Sequence, residues 1–177
     1  RMFTKERLTD FIPPVLHKVK AILNRNNIVQ VAPVLQPFVH QVLQSNSQYQ
    51  EDLLIDLLMN RKKDGFYIDI GANDPFFDNN TQRFYLRGWR GINIEPNFLE
   101  YKKIVANRKF DINLHVAISE KPGKHQFYQV GNDTTLSTLD QAKAAKMARE
   151  GKVAVSTSTV DGIQLSEILS THVGDRH

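Results

Sequence analysis

The strongest constraint on the fold is an apolar run that ends in an acidic residue and a glycine turn. Residues 66–70 read Phe-Tyr-Ile-Asp-Ile and lead into Gly-Ala-Asn-Asp at 71–74. About 25 residues further on, a second apolar run over 91–94 ends at Glu95. This spacing suits a β-α-β unit, in which one helix joins two parallel strands. Short apolar strands of this kind are typical of a buried parallel sheet, so we expect an α/β fold.

Hydrophobic periodicity and turn residues extend this prediction along the chain. Up to residue 118, strands and helices alternate as they do around a parallel sheet. Beyond it the alternation changes to a hairpin, a helix rich in alanine, a strand and a final helix. The predicted strands are 66–70, 90–95, 111–118, 125–130, 134–139 and 152–160, and the predicted helices are 49–60, 79–87, 97–107, 141–150 and 165–172.

The first 48 residues form a separate segment. Pro13 and Pro14 interrupt the backbone pattern, and an amphipathic helix follows, with apolar positions over 15–23 and basic residues on its other sides. Two interpretations stay open: the helix packs on its own domain or on a sister subunit in a homo-oligomer, or residues 11–25 lie on an anionic membrane surface. We therefore predict an N-terminal helical segment with a linker, 1–48, and a second domain, 49–177.

Composition excludes several classes of protein. The 177 residues include no cysteine, which excludes a disulfide scaffold and a thiolate nucleophile and favours a reducing, cytoplasmic location. The sequence contains no run of about 18 apolar residues, so we expect no transmembrane helix. The net charge of +4 is modest, and the basic residues cluster only in places, without the density and interleaved aromatics of a nucleic-acid interface, so we predict no nucleic-acid partner. No cluster of histidines and carboxylates has metal-ligand spacing, so we predict no required metal.

The glycine turn predicts a nucleoside site. Gly71 allows the close backbone approach that a Cβ would block. Asp69 can accept hydrogen bonds near an ammonium group or from a loop amide, and Glu95 can accept two from a ribose diol. Both acids stand at the carboxyl ends of their strands, where open α/β sheets bind ligands.

The turn departs from the Gly-x-Gly-x-x-Gly pattern of dinucleotide sites. Ala72 and Asn73 follow Gly71, so the second glycine that would let a pyrophosphate approach is absent. Asp74 adds negative charge where a dinucleotide places its phosphates. These residues argue against a nicotinamide-dependent oxidoreductase. They favour S-adenosylmethionine, which carries adenine, a ribose and a zwitterionic amino acid end with a sulfonium, but no phosphate.

Several segments in combination resemble the FkbM family of methyltransferases over roughly residues 47–172. They are Gln48–Asp52, Phe66–Pro75, Asn80–Tyr85, Gly88–Asn97, Asn113–Ile118 and Leu136–Leu139. Members of this family use S-adenosylmethionine on a Rossmann-like fold. They mostly methylate hydroxyl groups, often on sugars or polyketide-like products, so the resemblance implies a saccharide or other small-molecule acceptor.

The resemblance also implies roles for individual residues. The methionine end of the cofactor would be held by Asp69, Gly71, Ala72 and Asn73. The ribose hydroxyls would be held by Glu95, with Pro96 and Asn97 near the adenine and Ala117 and Ile118 flanking its ring. Asp74, Asn80 and Thr81 would face the crevice near the transferred methyl group. Asp74 and His115 are the candidates for the general base, His115 because it shares Ala117's side of the strand.

A structural interpretation stays open for each of these residues. Asp69 can cap a loop, Glu95 can pair with Arg90 or a helix end, and the side chains of Asn80–Thr81 can cap a helix N-terminus. His115 can be a hydrogen-bonded structural histidine.

The FkbM pattern continues with a strand ending in Asp-x-Glu-Gly, which would follow His177. We therefore expect a Rossmann-like fold truncated after its third core strand and a hairpin and helix insertion. Either the chain is a fragment that carries the N-terminal portion of a methyltransferase domain, or a partner supplies the rest. A non-enzymatic, degenerate module used for assembly or membrane association is the alternative.

Overall fold

The computed structural model describes residues 45–151 and 153–174. From Asn46 onward they belong to one of the two units into which the chain divides, Asn46–His177. The predicted basic helix and its membrane interpretation lie outside the described residues. The elements in chain order are α1 (Glu51–Leu58), β1 (Phe66–Ile70), α2 (Gln82–Leu86), β2 (Arg90–Ile94), α3 (Phe98–Asn107), β3 (Ile112–Leu114), β4 (Ala117–Ile118), β5 (Gly123–Val130), a 3₁₀ helix (Thr134–Leu136), β6 (Ser137–Thr138), α4 (Gln141–Gly151), β7 (Val155–Ile163) and α5 (Leu165–His172).

Strands β1, β2 and β3 form a parallel sheet in that order, as the β-α-β spacing predicts. The register aligns Ile68 with Ile92, and Ile92 with Ile112. Because side chains alternate between the faces of a strand, this register places the isoleucines on one face of the sheet. Ile168 of α5 packs against that face, and Ile92 is fully buried there. An α/β architecture is thus confirmed.

The opposite face of the same sheet is polar. The Tyr67 hydroxyl donates to Asp111, whose other carboxylate oxygen accepts the Gly91 N–H at 2.9 Å. The Asn93 amide donates to Asp111 at 3.0 Å and to Asn113 at 2.8 Å. Burial, reinforced by the Asp111 carboxylate, raises the pKa of the Tyr67 phenol, so it stays a neutral donor. Hydrogen bonds rather than apolar packing therefore hold this side of the sheet.

Gly91 illustrates how closely the polar face is packed. A Cβ on Gly91 would lie 2.2 Å from the Tyr67 ring and 2.5 Å from the Tyr67 carbonyl oxygen. No side chain fits in that space, so glycine is required where the Tyr67 ring crosses β2.

A second sheet of four strands has the order β4-β7-β5-β6. Its long pair is β5 and β7, which run antiparallel, and the predicted pairing of residues 134–139 with β5 is confirmed at Ser137 and Thr138. Ala117, Phe127 and Val160 form its core. Ile118 and Ile163 instead pack on the isoleucine face of the first sheet, so the two sheets share apolar contacts.

The prediction of one third strand over 111–118 is wrong. The chain forms β3, leaves the first sheet after Leu114, and re-enters regular structure as β4, which pairs with β7 in the second sheet. The reason lies in β2. In a parallel pair every second residue donates to the same neighbouring strand, so the donor that follows the Glu95 N–H, which bonds the Leu114 carbonyl at 3.0 Å, is the N–H of Asn97. The Asn97 N–H donates instead to Glu95 Oε1 at 2.7 Å. The parallel ladder cannot continue past that point.

Helix α1 confirms the helix predicted over 49–60 with shorter bounds, but three of its four leucines are exposed. Asp52 and Asp56 are its buried residues, while Leu54 and Leu58 are 57% and 70% exposed. Asp56 accepts from Arg83 of α2 at 2.9 Å and from Arg87. Ion pairing therefore orients this helix, with its apolar face outward.

In the described part of the chain, no helix is long and apolar enough to cross a membrane.

Candidate functional site

The glycine turn crosses the end of β2. The N–H groups of Gly71 and Ala72 both donate to the Ile94 carbonyl, at 2.8 and 3.2 Å. Gly71 adopts a φ of 74°, and a Cβ built on it would have no heavy atom within 4 Å. The turn is thus fixed to the neighbouring strand, and the space above Gly71 is open to a ligand.

Asn73 continues the turn in a left-handed conformation, with a φ of 50°. Asparagine tolerates this region better than other non-glycine residues do. Its N–H donates to Glu95 Oε2 at 2.7 Å, and its side-chain Oδ1 accepts from the Thr134 hydroxyl at 2.7 Å. Contacts from two other segments therefore hold the unusual backbone.

Glu95 joins the two loops at the carboxyl ends of β1 and β2. Besides the Asn73 amide, it accepts the Asn97 N–H at Oε1, also at 2.7 Å. The side chain is buried, and this burial raises the pKa of its carboxyl while the two amides oppose the shift. Each carboxylate oxygen keeps a lone pair beyond the amide it accepts, so the group can still bind a donor from a ligand.

Asp69 faces the polar side of the sheet. The Thr81 hydroxyl lies 2.7 Å from its Oδ2. Burial raises the pKa of the Asp69 carboxyl, whereas Thr81 and the charge of Arg108 act in the opposite direction. The side chain thus connects β1 to the residue before α2.

Asn79 and Arg108 organise the loop that follows the turn. Asn79 Oδ1 accepts the N–H groups of Thr81 and Gln82 at 3.0 and 2.8 Å, and its Nδ2 donates to the Ala72 carbonyl at 3.0 Å. Arg108, only 1% exposed, donates to Asn79 Oδ1 at 2.9 Å and to the Pro75 carbonyl at 3.0 Å. A buried cation therefore supports the wall of the turn from below.

The sequence model of the methyltransferase FkbM domain matches residues 69–177, more than half of the chain. The chain belongs to the FkbM methyltransferase family. No curated protein and no solved structure matches it. The FkbM match begins at Asp69 and takes in the turn, Glu95 and the second sheet.

Within this FkbM domain, five of the predicted cofactor and substrate-side residues form two hydrogen-bonded groups. Asn73, Glu95 and Asn97 form one, and Asp69 and Thr81 form the other. Asn97 also begins α3: its side chain accepts the Leu99 N–H at 3.0 Å and donates to Gln129 at 3.0 Å. The roles of these residues toward a cofactor stay predictions.

The residues predicted to flank the adenine take part in packing. Ala117 is buried in the core of the second sheet, and Ile118 packs against the first core. The Pro96 carbonyl lies 3.0 Å from His115 Nε2. The structural alternative for Asn80–Thr81 is wrong in detail, because Asn80 is exposed and neither side chain caps α2; Asn79 does so.

The two candidate bases differ in their surroundings. Asp74 Oδ1 accepts the N–H groups of Phe76 and Phe77 at 2.9 and 3.1 Å, and its Oδ2 lies 3.5 Å from Lys103. His115 lies in the connection between β3 and β4, so the expectation that it shares Ala117's side of one strand is wrong. Its ring stacks on Tyr101 at a centroid distance of 5.2 Å. If His115 Nε2 carries the proton toward Pro96, Nδ1 is the nitrogen left to accept one. Among residues 45–151 and 153–174, no group of three or more His, Asp or Glu side chains could hold a metal ion.

Sequence reasoning missed Asn79, Arg108, Gln129 and Thr134. Asn79 precedes Thr81 by two residues, so the preference of asparagine for helix starts could have identified it as readily as Asn80. Arg108 stands between Asn107 and Lys109, a polar run that predicts an exposed cation. Gln129 and Thr134 are distant in sequence from the residues that they bind, and no local pattern indicates such contacts.

Proposed function

We propose that this chain binds S-adenosylmethionine and transfers its methyl group to a hydroxyl of a saccharide or another hydroxylated metabolite. The observation that carries the proposal is the open turn at Gly71 beside Glu95, at the carboxyl ends of adjacent parallel strands. The order β1-β2-β3 is the order expected for one half of a Rossmann-like methyltransferase sheet, and the family membership agrees with it.

The turn suits a cofactor without phosphate. A phosphate-binding turn presents free N–H groups to the anion. Here the N–H groups of Gly71 and Ala72 donate to the Ile94 carbonyl, and that of Asn73 donates to Glu95. These amides already have acceptors, and a buried carboxylate stands beside them. This arrangement favours a nucleoside over a dinucleotide and argues against the oxidoreductase alternative.

The residues present suit the parts of S-adenosylmethionine. The free lone pairs of Glu95 can accept from the ribose hydroxyls, and the space above Gly71 leaves room for the methionine end. When bound, S-adenosylmethionine supplies a methyl group activated by a positive sulfonium. The residues of this chain would orient the acceptor hydroxyl toward that methyl group and receive the proton that the hydroxyl loses. Positioning of this kind supplies much of the rate.

Of the two candidate bases, we propose His115. Asp74 Oδ1 is already bonded to two loop amides and its Oδ2 lies beside Lys103, so both of its oxygens are engaged within the loop and with α3. We expect His115→Gln to lower kcat by about 10²–10⁴-fold, as the loss of a general base does, and to leave the affinity for S-adenosylmethionine unchanged. Comparison of the single-turnover rates of His115→Gln and Asp74→Asn decides between the candidates. A larger loss of rate in Asp74→Asn would assign the base to Asp74.

Isothermal titration of the full chain with S-adenosylmethionine tests the cofactor. In Glu95→Gln one carboxylate oxygen becomes an amide that cannot accept the N–H facing it. We expect its dissociation constant to rise at least about tenfold, because hydrogen bonds to charged groups contribute about 1.5–3 kcal/mol. The matched control is Glu150→Gln, an exposed carboxylate at the end of α4. If the unaltered chain binds no S-adenosylmethionine, or if Glu95→Gln binds it equally well, the proposal fails.

Methyl transfer itself is followed with a labelled methyl group and a panel of hydroxylated saccharides. The proposal expects the label on an acceptor oxygen. Label found on nitrogen or carbon would contradict O-methylation while leaving cofactor binding intact.

A further inference from the structure

Asn73 and Asn97 donate their backbone N–H groups to Glu95, and their side chains bind residues in the region of β5 and the 3₁₀ helix. Asn73 accepts the Thr134 hydroxyl at Oδ1, at 2.7 Å. Asn97 donates from Nδ2 to Gln129 Oε1, at 3.0 Å. Each asparagine thus contacts Glu95 through its backbone and the region of β5 and the 3₁₀ helix through its side chain. Both loops at the candidate cofactor site are therefore bonded twice.

The region that carries Thr134 and Gln129 is itself fixed. Gln129 lies within β5, opposite Ser137 of β6 and Ser156 of β7. Beyond β5, the Gly131 N–H donates to the Ala154 carbonyl at 2.8 Å. The Ser137 hydroxyl, at the start of β6, donates to the Thr134 carbonyl of the 3₁₀ helix at 2.8 Å. Gln129 and Thr134 therefore contact the asparagines from segments that are themselves held by hydrogen bonds.

The contact from Thr134 helps to hold Asn73 in its left-handed conformation. A non-glycine residue in the left-handed region is strained and persists only where its surroundings hold it there. The backbone of Asn73 is held by Glu95 and its side chain by Thr134. Without the hydroxyl of Thr134, the turn from Gly71 to Asn73 would keep only its backbone contacts.

We propose that Thr134 and Gln129 are positioning residues for the cofactor site. They act through Asn73 and Asn97, so the second sheet sets the geometry of the glycine turn and of the Glu95 loop. This inference rests on the proposed function, because its purpose is to prepare the site for S-adenosylmethionine. Neither residue needs to touch the cofactor.

Two isosteric variants test the inference in the full chain. Thr134→Val removes the hydroxyl and keeps the shape, and Gln129→Met removes the acceptor that Asn97 uses. We expect the dissociation constant and the KM for S-adenosylmethionine to rise about three- to tenfold in each, the factor that one ordinary hydrogen bond contributes. The kcat at saturating cofactor should stay close to that of the unaltered chain, and Thr134→Ser should restore the affinity.

Matched controls come from the same elements. Thr135 is exposed and its hydroxyl bonds Asp133 of its own turn, and Gln126 is an exposed residue of β5. Thr135→Val and Gln126→Met should leave the affinity unchanged. Equal effects of the control and test variants would overturn the inference, because they would show a general loss of stability.

Amide hydrogen exchange at Asn73 separates this inference from the proposed function, since it needs no cofactor. We expect exchange at this amide to be several-fold faster in Thr134→Val and unchanged in Thr134→Ser and Thr135→Val. If the unaltered chain binds no S-adenosylmethionine, the proposed function fails, and exchange alone decides whether Thr134 positions the turn. Unchanged exchange, or unchanged affinity in a chain that binds the cofactor, overturns the inference.

Discussion

At the scale of single residues, the buried side chain of Arg108 connects several parts of the candidate site. Its guanidinium donates to Asn79 and to the Pro75 carbonyl, and lies 3.3 Å from the Tyr67 hydroxyl. Its positive charge also lowers the pKa of Asp69 against the effect of burial. One side chain thus bonds the polar face of the sheet to the loop after the glycine turn.

Replacing Arg108 should therefore destabilise the fold. In Arg108→Met, Asn79 and the Pro75 carbonyl would lose a buried donor, and Asp69 would lose its nearby cation. We expect the free energy of unfolding to fall by about 2–4 kcal/mol, as for the loss of one partner in a buried polar network. Urea unfolding measures it, with Lys109→Met on the exposed neighbour as the control. Equal stability of the two variants would show that the network contributes little.

Residues also mark where sequence reasoning stops. Asp69, Gly71 and Glu95 follow from strand ends and a turn, because apolar periodicity and glycine chemistry are local properties. The partners that fix them, Asn79 and Thr134, are identified only in three dimensions.

At the scale of elements, α1 shows that an apolar pattern predicts a helix but not which face it buries. The leucines give the helical period, yet the buried contacts are the ion pairs of Asp56 with Arg83 and Arg87. The third strand shows a second limit. Residues 111–118 carry one continuous β pattern, but the ladder of β2 and β3 ends where the Asn97 N–H binds the Glu95 side chain, and Ala117 and Ile118 pair with β7 instead. Pairing partners, unlike periods, are not local.

Because α1 buries its aspartates and exposes most of its leucines, we expect a substitution at Asp56 to destabilise the fold more than one at Leu58. We expect Asp56→Asn to lower the free energy of unfolding by about 1–3 kcal/mol, because both arginines lose a charged acceptor. Leu58→Ser should change it by less than about 0.5 kcal/mol, since that side chain is 70% exposed. Thermal and denaturant unfolding of both variants measures the difference. A larger loss in Leu58→Ser would show that the apolar face is covered in solution.

At the scale of the whole described unit, the two sheets have different tasks. The parallel sheet provides the carboxyl ends at which Gly71 and Glu95 stand. The second sheet provides Gln129, and the 3₁₀ helix between β5 and β6 provides Thr134; both side chains bind the loops at these carboxyl ends. The alternation of strands and helices up to residue 118 predicts the first sheet. The second was predicted only as separate strands, since its order β4-β7-β5-β6 depends on contacts distant in sequence.

The occupied amides of the glycine turn have a consequence for discrimination among cellular nucleotides. A triphosphate or a dinucleotide arriving at this turn would meet N–H groups already bonded to Ile94 and Glu95, and it would bring its charge toward the carboxylates of Glu95 and Asp74. Its phosphates would lose water without gaining these backbone N–H groups as donors. For the cofactor site that we propose, this arrangement would disfavour phosphate-bearing competitors by withholding partners from them, which is specificity through repulsion rather than through tighter binding.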